Sequence, residues 1–288
     1  MLSFKQISVL GVIIVAVLVS GLLILNNHPV IKPVPAHGNF TAGDVYEYQI
    51  SSISGKSDTT YPLIETVLSS HSEGIQLEII RNSSRNITTE QKILVDIDTD
   101  GKIIKTNSPT PIIPEIQPEL PGIFGPLRNY PDSSSEGNWT VQKNGTYVMN
   151  GTEIQYSATA NGTYENRGMK QISVGAGTYD CIEVISETEF TFSQIINGPQ
   201  GRVWVDTRGK ITGPTWIDTR SGIVIKSDHS INKTVSIDQH EIYQSMGLGI
   251  DQMYREIPSK SRIMCELVKS DLPAARNLSQ VLYGITGN

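Results

Sequence analysis

Cysteine is nearly absent from this chain of 288 residues, in which Cys181 and Cys265 are the only two. Two cysteines cannot form the disulfide framework that stabilises a small secreted domain. They can form one disulfide bond with each other or serve as two small buried apolar side chains. The sequence leaves both alternatives open.

Positive charge is also scarce, because 23 lysine and arginine residues face 29 aspartate and glutamate residues, for a net charge of −6. Nucleic acids and anionic membrane surfaces attract basic proteins. We therefore expect no nucleic-acid partner for this chain.

The motifs of common catalytic and phosphate-binding sites are missing as well. The five histidines are scattered, without a spacing that would hold zinc, and no Gly-x-Ser-x-Gly elbow or phosphate-binding glycine loop occurs. One acid–base or metal candidate remains, because Asp238 and His240 share a strand face beside Glu241; a solvated strand end is the simpler interpretation. We expect a non-enzymatic protein without a cofactor.

Long apolar runs are limited to residues 7–25, a stretch without charge. As a helix it would be about 28 Å long, close to the thickness of the bilayer core. Lys5 precedes it, and because positive residues favour the cytoplasmic side, we expect residues 1–6 inside and the rest outside. We predict a single-pass signal anchor in the cell membrane. A cleaved signal peptide is the alternative, although its apolar region is usually about 7–15 residues long.

Three regions follow the predicted anchor. Residues 26–42 contain several prolines and are expected to form an extended tether. Residues 43–241 are dominated by short segments in which apolar and polar residues alternate, as in antiparallel β-strands. Residues 242–288 carry apolar residues at helical spacing, with Asp271 as a helix N-cap, and are predicted to form short helices.

The chain is rich in the N-glycosylation acceptor Asn-x-Ser/Thr, which favours exposed segments of exported proteins. More than half of its asparagines begin such a sequon: Asn39, Asn82, Asn86, Asn138, Asn144, Asn150, Asn161, Asn232 and Asn277. This excess supports export and predicts a glycoprotein.

Turn signals recur along the predicted strands. Asn-Gly at Asn144, Asn150 and Asn161 is typical of a tight hairpin turn. The motifs WVDTRG (residues 204–209) and WIDTRSG (residues 216–222) repeat each other, and in both an aspartate opens and a glycine closes a turn. We predict hairpins at all these positions. A ligand site built from the repeated Trp, Asp and Arg is the alternative for the two longer motifs.

Residues 107–131 contain seven of the 15 prolines. Proline at this density excludes a helix and a central strand. The segment nevertheless carries many large aliphatic residues, which a disordered linker usually lacks. We expect either a long loop packed over one face of the sheet or a mobile lid or partner-binding arm.

Three alternating carboxylates, at Asp96, Asp98 and Asp100, match the start of a calcium-binding loop that continues to Gly101. The twelfth position of that loop is Asn107 instead of glutamate, and the flanking residues have the pattern of strands. A hairpin turn is therefore the simpler interpretation, and a metal site is the alternative.

Three segments, GDVYEYQI, AGTYDCIEV and WIDTRSGIVIKSD, together resemble a group of exported, mostly archaeal, membrane-anchored β-rich proteins of unknown function. More remotely, the chain resembles bacterial periplasmic proteins built as curved antiparallel half-barrels, including lipoprotein carriers. The resemblance implies a mainly β fold, a curved antiparallel sheet of half-barrel or sandwich-like form, and no catalytic residues. The second WVDTRG copy, the proline-rich segment and the C-terminal region depart from it.

These observations favour a membrane-anchored, N-glycosylated cell-surface protein with a non-enzymatic binding or structural role. Its expected partners are the membrane, through the N-terminal helix, and envelope components or proteins. The first alternative is a carrier or chaperone for a lipid-like ligand in a half-barrel groove. The second is a metal-assisted hydrolase that uses Asp238 and His240.

Overall fold

The computed structural model describes residues 40–55, 57–82, 90–98, 103–120, 136–149, 151–198, 201–247 and 254–270. The predicted anchor and most of the predicted tether lie outside these ranges. Within them, no helix is both long and apolar enough to cross a membrane.

Eleven strands make up most of the described chain. They are β1 (Val45–Ser54), β2 (Ser57–His71), β3 (Gly74–Asn82), β4 (Glu90–Asp98), β5 (Ile103–Thr106), β6 (Glu136–Met149), β7 (Thr152–Val174), β8 (Gly177–Gly198), β9 (Gly201–Asp218), β10 (Val224–Asp238) and β11 (Tyr254–Ser270). The helical elements of the described ranges are a 3₁₀ turn at Pro114–Ile116 and the helix α1 at His240–Ser245.

All eleven strands form one antiparallel sheet, in the order β5-β4-β3-β2-β1-β11-β10-β9-β8-β7-β6. The order contains two meanders, one running from β1 at the centre to β5 at an edge, the other from β6 at the opposite edge back to β10. Strand β11 pairs with both β1 and β10 and joins the two meanders. The predicted antiparallel β fold is confirmed, as one open sheet instead of a sandwich.

The sheet is curved. The backbone N–H of Ala176, in the turn between β7 and β8, donates a hydrogen bond to the carbonyl of Leu267 on β11 at 3.2 Å. The hydroxyls of Tyr179 on β8 and Ser270 on β11 lie 3.3 Å apart. Because β9 and β10 separate β8 from β11, a flat sheet would hold these strands about 14 Å apart. The contacts therefore require the sheet to bend.

Alternating burial distinguishes an inner from an outer face. On β1, Tyr46, Tyr48 and Ile50 are buried and belong to the main core cluster. Neighbouring strands add further members of this cluster: Leu63, Val67, Leu77, Ile79, Val95, Ile97, Ile263, Cys265 and Leu267. We call the face that carries these residues the inner face. Paired residues extend it across the second meander to Trp139 on the far edge strand.

Two of the three predicted Asn-Gly turns are wrong. Asn144 lies inside β6 and Asn161 inside β7, and both strands continue through them. Asn150 itself is outside the described residues, but Gly151 has a φ of 78° at the junction of β6 and β7, where the predicted hairpin occurs.

The two misread Asn-Gly pairs need glycine for a different reason. Gly162 faces Trp139 across β6 and β7, and a Cβ there would approach the indole to 2.1 Å. Gly145 faces Tyr156 in the same way, at 3.1 Å. An aromatic ring from the neighbouring strand covers each glycine and takes the place of its missing side chain. The glycines therefore support the strands and do not end them.

The repeated WVDTRG and WIDTRSG motifs also fold differently from each other. Residues 204–209 lie within β9, so the turn predicted there is wrong; β8 and β10 pair with this stretch on its two sides. The second motif forms the predicted turn. The Asp218 Oδ2 atom accepts hydrogen bonds from Ser221 N at 2.8 Å and Ser221 Oγ at 2.7 Å, and Gly222 has a φ of 73°.

The prediction of helices in residues 242–288 is wrong over most of the described part. Strand β11 occupies the centre of the sheet, and only α1 is helical there. The buried residues of β11 alternate with a period of two, and neighbours on both sides satisfy its backbone, so tertiary pairing overrides the helical spacing. Residues 271–288, with the expected N-cap Asp271, lie outside the described ranges.

The proline-rich segment connects the two edges of the sheet, because it links β5 to β6. We call residues 107–135 the crossover segment. Within its described part, residues 107–120, Ile112 belongs to the core, and Ile116 and Leu120 pack against it. The prediction of a loop packed over one face is confirmed for this part. The connection between opposite edges explains why the segment is both irregular and apolar.

Candidate functional site

The crossover segment is shaped mainly by its own hydrogen bonds. The side chain of Gln117 accepts a bond from Ile113 N at 2.7 Å and donates one to the Pro111 carbonyl at 3.4 Å. The Cys265 thiol on β11 donates to the carbonyl of Pro118 at 3.3 Å. Ile113 is only 2% exposed. The segment therefore packs on the inner face through buried apolar residues, and Glu115 adds an ion pair with Lys143 on β6 at 3.7 Å.

Polar groups are enclosed on the inner face of the first meander. Glu65 on β2 is fully buried and lies beside Tyr46 of β1 in the sheet. The Tyr48 hydroxyl donates to the Val224 carbonyl at 3.1 Å. Burial raises the pKa of the Tyr48 phenol well above its usual value, and the nearby Glu65 charge adds to the effect. The hydroxyl therefore stays protonated and links β1 to the start of β10.

The two cysteines are free, buried thiols. Burial raises the pKa of Cys265 to about 12, with the Glu119 charge contributing further, and burial also raises that of Cys181 to about 12. Their strands, β11 and β8, are separated by β10 and β9. Because the thiolate is the reactive form, neither thiol is a nucleophile at neutral pH. They are small buried side chains, which was one of the two alternatives from the sequence.

His229 is an inner-face residue that the sequence did not single out. It lies opposite Ile263 on β11, and its Nε2 atom is 3.2 Å from the Thr215 hydroxyl. Burial lowers the pKa of His229 to about 4, against the opposing influence of Asp228. Within the described chain, its buried Nδ1 atom has no hydrogen-bond partner. Its polar neighbours in sequence gave no reason to expect a neutral histidine inside the sheet.

Asp238 and His240 come together, but not on a shared strand face as predicted, because β10 ends at Asp238 and His240 begins α1. One oxygen of Asp238 accepts a hydrogen bond from the His240 backbone N–H at 3.0 Å and lies 2.9 Å from the ring Nδ1. The backbone hydrogen bond lowers the pKa of Asp238, and the ring contact lowers it further. The carboxylate thus holds the start of α1, which is a structural use of this pair.

The neighbouring Glu241 is engaged in a second contact at the same place. Both of its oxygens accept hydrogen bonds from the Arg202 side chain, the shortest at 2.6 Å, and this lowers the pKa of Glu241 to about 2. The rings of Trp204 and His240 stack with centroids 5.1 Å apart, and Arg202 lies over Trp204. Together these contacts fasten α1 to β9.

The candidate calcium ligands are only partly described. Asp96 on β4 accepts a hydrogen bond from Gln76 Nε2 on β3 at 2.8 Å, and Asp98 ends the same strand. Asp100 and the turn after it lie outside the described residues. Strands β4 and β5 pair as the predicted hairpin requires, and calcium binding remains an untested alternative.

Four of the nine sequon asparagines have described side chains. Asn138, Asn144, Asn161 and Asn232 are all exposed. The side chains of the other five lie outside the described part of the chain: Asn39, Asn82, Asn86, Asn150 and Asn277. These four asparagines therefore meet the requirement that a glycan acceptor be accessible.

No protein-family model and no curated protein sequence matches this chain. Among solved structures, the chain has a remote similarity to an exported protein with a YmcC-like fold from Bacteroides fragilis. The identity is 7% and the TM-score 0.31, over 84% of this chain and all of that one. The lipoprotein YmcC from Escherichia coli is 12% identical, with a TM-score of 0.27, over 75% of this chain and 85% of its own.

A lipoprotein from Parabacteroides distasonis is 9% identical, with a TM-score of 0.34, over 83% of this chain and all of that one. The similarity to these exported proteins and lipoproteins is remote.

Proposed function

We propose that this chain is a membrane-anchored, N-glycosylated cell-surface protein whose β domain has a non-enzymatic binding or structural role in the cell envelope. The observation that carries the proposal is the excess of sequons, since more than half of the asparagines begin one. The uncharged stretch at residues 7–25 supplies the anchor. The arrangement of Asp238 and His240 favours a structural role over hydrolysis, since the carboxylate is used to hold α1.

Alkaline extraction of membranes from the cells that make the protein tests the anchor. We expect the full chain to stay in the membrane pellet and its N-terminal peptide to begin before residue 7. Release into the alkaline supernatant, together with a mature chain that begins after residue 25, would show that the apolar stretch is a cleaved signal peptide.

A second candidate function is that of a carrier for an apolar, lipid-like ligand. It is favoured by one observation, that the inner face carries the main apolar core cluster and that Ile112, Ile116 and Leu120 of the crossover segment pack into or against this cluster. A ligand that displaces the crossover segment would meet the same surface. Organic extraction of the purified chain, followed by mass spectrometry, checks this candidate. A stoichiometric lipid supports it, and a clean extract counts against it.

A further inference from the structure

Four of the sequons lie inside regular strands of the second meander. Asn138 and Asn144 are on β6, Asn161 is on β7 and Asn232 is on β10. In a strand, successive side chains point to opposite faces, and directly paired residues of neighbouring strands point to the same face. The register therefore determines which face each asparagine occupies.

All four asparagines are on the outer face. One row of directly paired residues crosses five strands through Thr140, Asn161, Glu189, Lys210 and Asn232. Asn138 and Asn144 are two and four residues from Thr140 on the same strand, so they share its side. The residue between asparagine and threonine in each of these sequons faces the inner side instead. In the Asn138 sequon this residue is Trp139, which packs against the core cluster.

The sequon threonines share this face as well, since each lies two residues after its asparagine. Thr140 of the Asn138 sequon lies on the same face as Asn161 of the neighbouring strand, because its hydroxyl donates a hydrogen bond to Asn161 Oδ1 at 2.9 Å. Both recognition elements of every described sequon are therefore presented together on one exposed surface. This surface also lies opposite the face that the crossover segment covers.

Two shallow pockets lie beside these asparagines and share Arg208. One, of about 310 Å³, is lined by Asn232 and Thr234 among others. The other, of about 290 Å³, is lined by Asn161 and Thr191 among others. Hydroxyl, amide and guanidinium groups are suitable hydrogen-bond partners for sugar hydroxyls. There is thus room, with polar partners, for the first sugars of a chain attached at either asparagine.

We propose that N-linked glycans at Asn138, Asn144, Asn161 and Asn232 form a one-sided coat over the outer face of β6–β10. The coat leaves envelope partners to bind the rest of the surface. This inference rests on the proposed function, because only an exported chain meets the glycosylation machinery.

Glycopeptide mass spectrometry of the full chain, purified from the cells that make it, tests the coat. We expect glycans at three or all four of these asparagines. Modification of two or fewer of them, with glycans on the sequons at Asn39, Asn82, Asn86, Asn150 or Asn277, would overturn the one-sided coat and leave the proposed function standing. A chain without a glycan at any sequon would overturn both.

Threonine variants add a test on the intact protein. Thr163→Val and Thr234→Val each destroy one sequon while keeping its asparagine and a good strand-forming residue. Each should lower the intact mass by one glycan. Thr212→Val is the matched control, since Thr212 pairs with Glu187 on the same outer face but belongs to no sequon, and it should lose none. Unchanged glycan mass in both sequon variants would contradict the proposal.

Discussion

The two meanders of the sheet fill the inner face with different kinds of side-chain packing. In β1–β5 the inner face is filled with aliphatic and tyrosine side chains. The crossover segment packs against the core cluster that both meanders share, and it contacts β11, β6 and β8. In β6–β7 the same face is partly filled within the sheet, by aromatic rings that lie over glycines of the next strand. The outer face of the second meander carries all four of the described sequon asparagines. The comparison shows that one curved sheet can fill its inner face in two ways, with large side chains in one half and partly with rings that lie over glycines in the other.

The junction strand β11 is where a change should affect both halves most. Leu267→Ala removes a fully buried side chain from the core, and we expect it to lower the free energy of unfolding by about 4 kcal/mol. Ile257→Ala on the same strand is the control, because Ile257 is 37% exposed, and it should cost less than about 1 kcal/mol. Urea unfolding followed by circular dichroism measures both; equal losses would argue against a core centred on β11.

Because His229 on β10 is held neutral, we expect the stability of the protein to depend on pH. The folded-state pKa of His229, about 4, lies below the value of 6.5 for an unperturbed histidine, so between these pH values the unfolded chain binds more protons. Stability is therefore lost as pH falls from 6.5 through 4, by up to about 3 kcal/mol. Unfolding curves of His229→Gln and the parent chain, compared at each pH, isolate this contribution. A parallel pH dependence in the two proteins would show that the histidine is not held neutral.

The ring-over-glycine pairs at Gly162 and Gly145 differ in how closely the ring approaches the glycine. A methyl group at Gly162 would have to push the Trp139 ring away, and we expect Gly162→Ala to cost about 2 kcal/mol. Gly145→Ala is the matched control, because a methyl group there has more room below the Tyr156 ring. It should lower the free energy of unfolding by less than about 1 kcal/mol. Thermal unfolding of both variants gives the comparison. If Gly162→Ala is neutral, the ring does not occupy the position described.

The smallest expected effect concerns the hydrogen bond from Tyr48 to the Val224 carbonyl, which connects the meanders. Tyr48→Phe keeps the ring and removes the donor, so we expect a loss of about 1 kcal/mol. Tyr46→Phe is the control, since the Tyr46 hydroxyl donates to Asp44 Oδ2, two residues earlier in the chain, at 3.3 Å. Equal denaturation midpoints for the parent chain and Tyr48→Phe would show that this bond adds no stability.

The strand-rich domain could be predicted because apolar and polar residues alternate with a period of two in the sequence. This signal does not depend on which strands pair. Local signals were misread wherever tertiary contacts decided the outcome. Gly162 looked like a turn residue because its neighbour is asparagine, and only the position of Trp139 on the next strand shows that the glycine makes room for a ring. Strand β11 looked helical because its spacing permits both structures, and its place between β1 and β10 decides for a strand.

The candidate sites were predictable to different extents. The sequence placed Asp238 and His240 on one strand face, whereas their contact forms where β10 ends and α1 begins. The attachment of α1 to β9 depends on Arg202 and Trp204, about 40 residues earlier in the chain. The outer-face location of the sequons required the register across five strands. No local pattern in the sequence contains that register, since shifting a strand by one residue would exchange its faces.

The most direct test of the central claim is lysine labelling with a membrane-impermeant amine reagent on intact cells. Lys260 is exposed on β11, and the side chain of Lys170 on β7 is 51% exposed. If the β domain lies outside the cytoplasm, the peptide with Lys170 and the peptide with Lys260 should each be labelled on intact cells to the same extent as after lysis. Labelling of these peptides only after the cells are broken would place the domain inside and contradict the account.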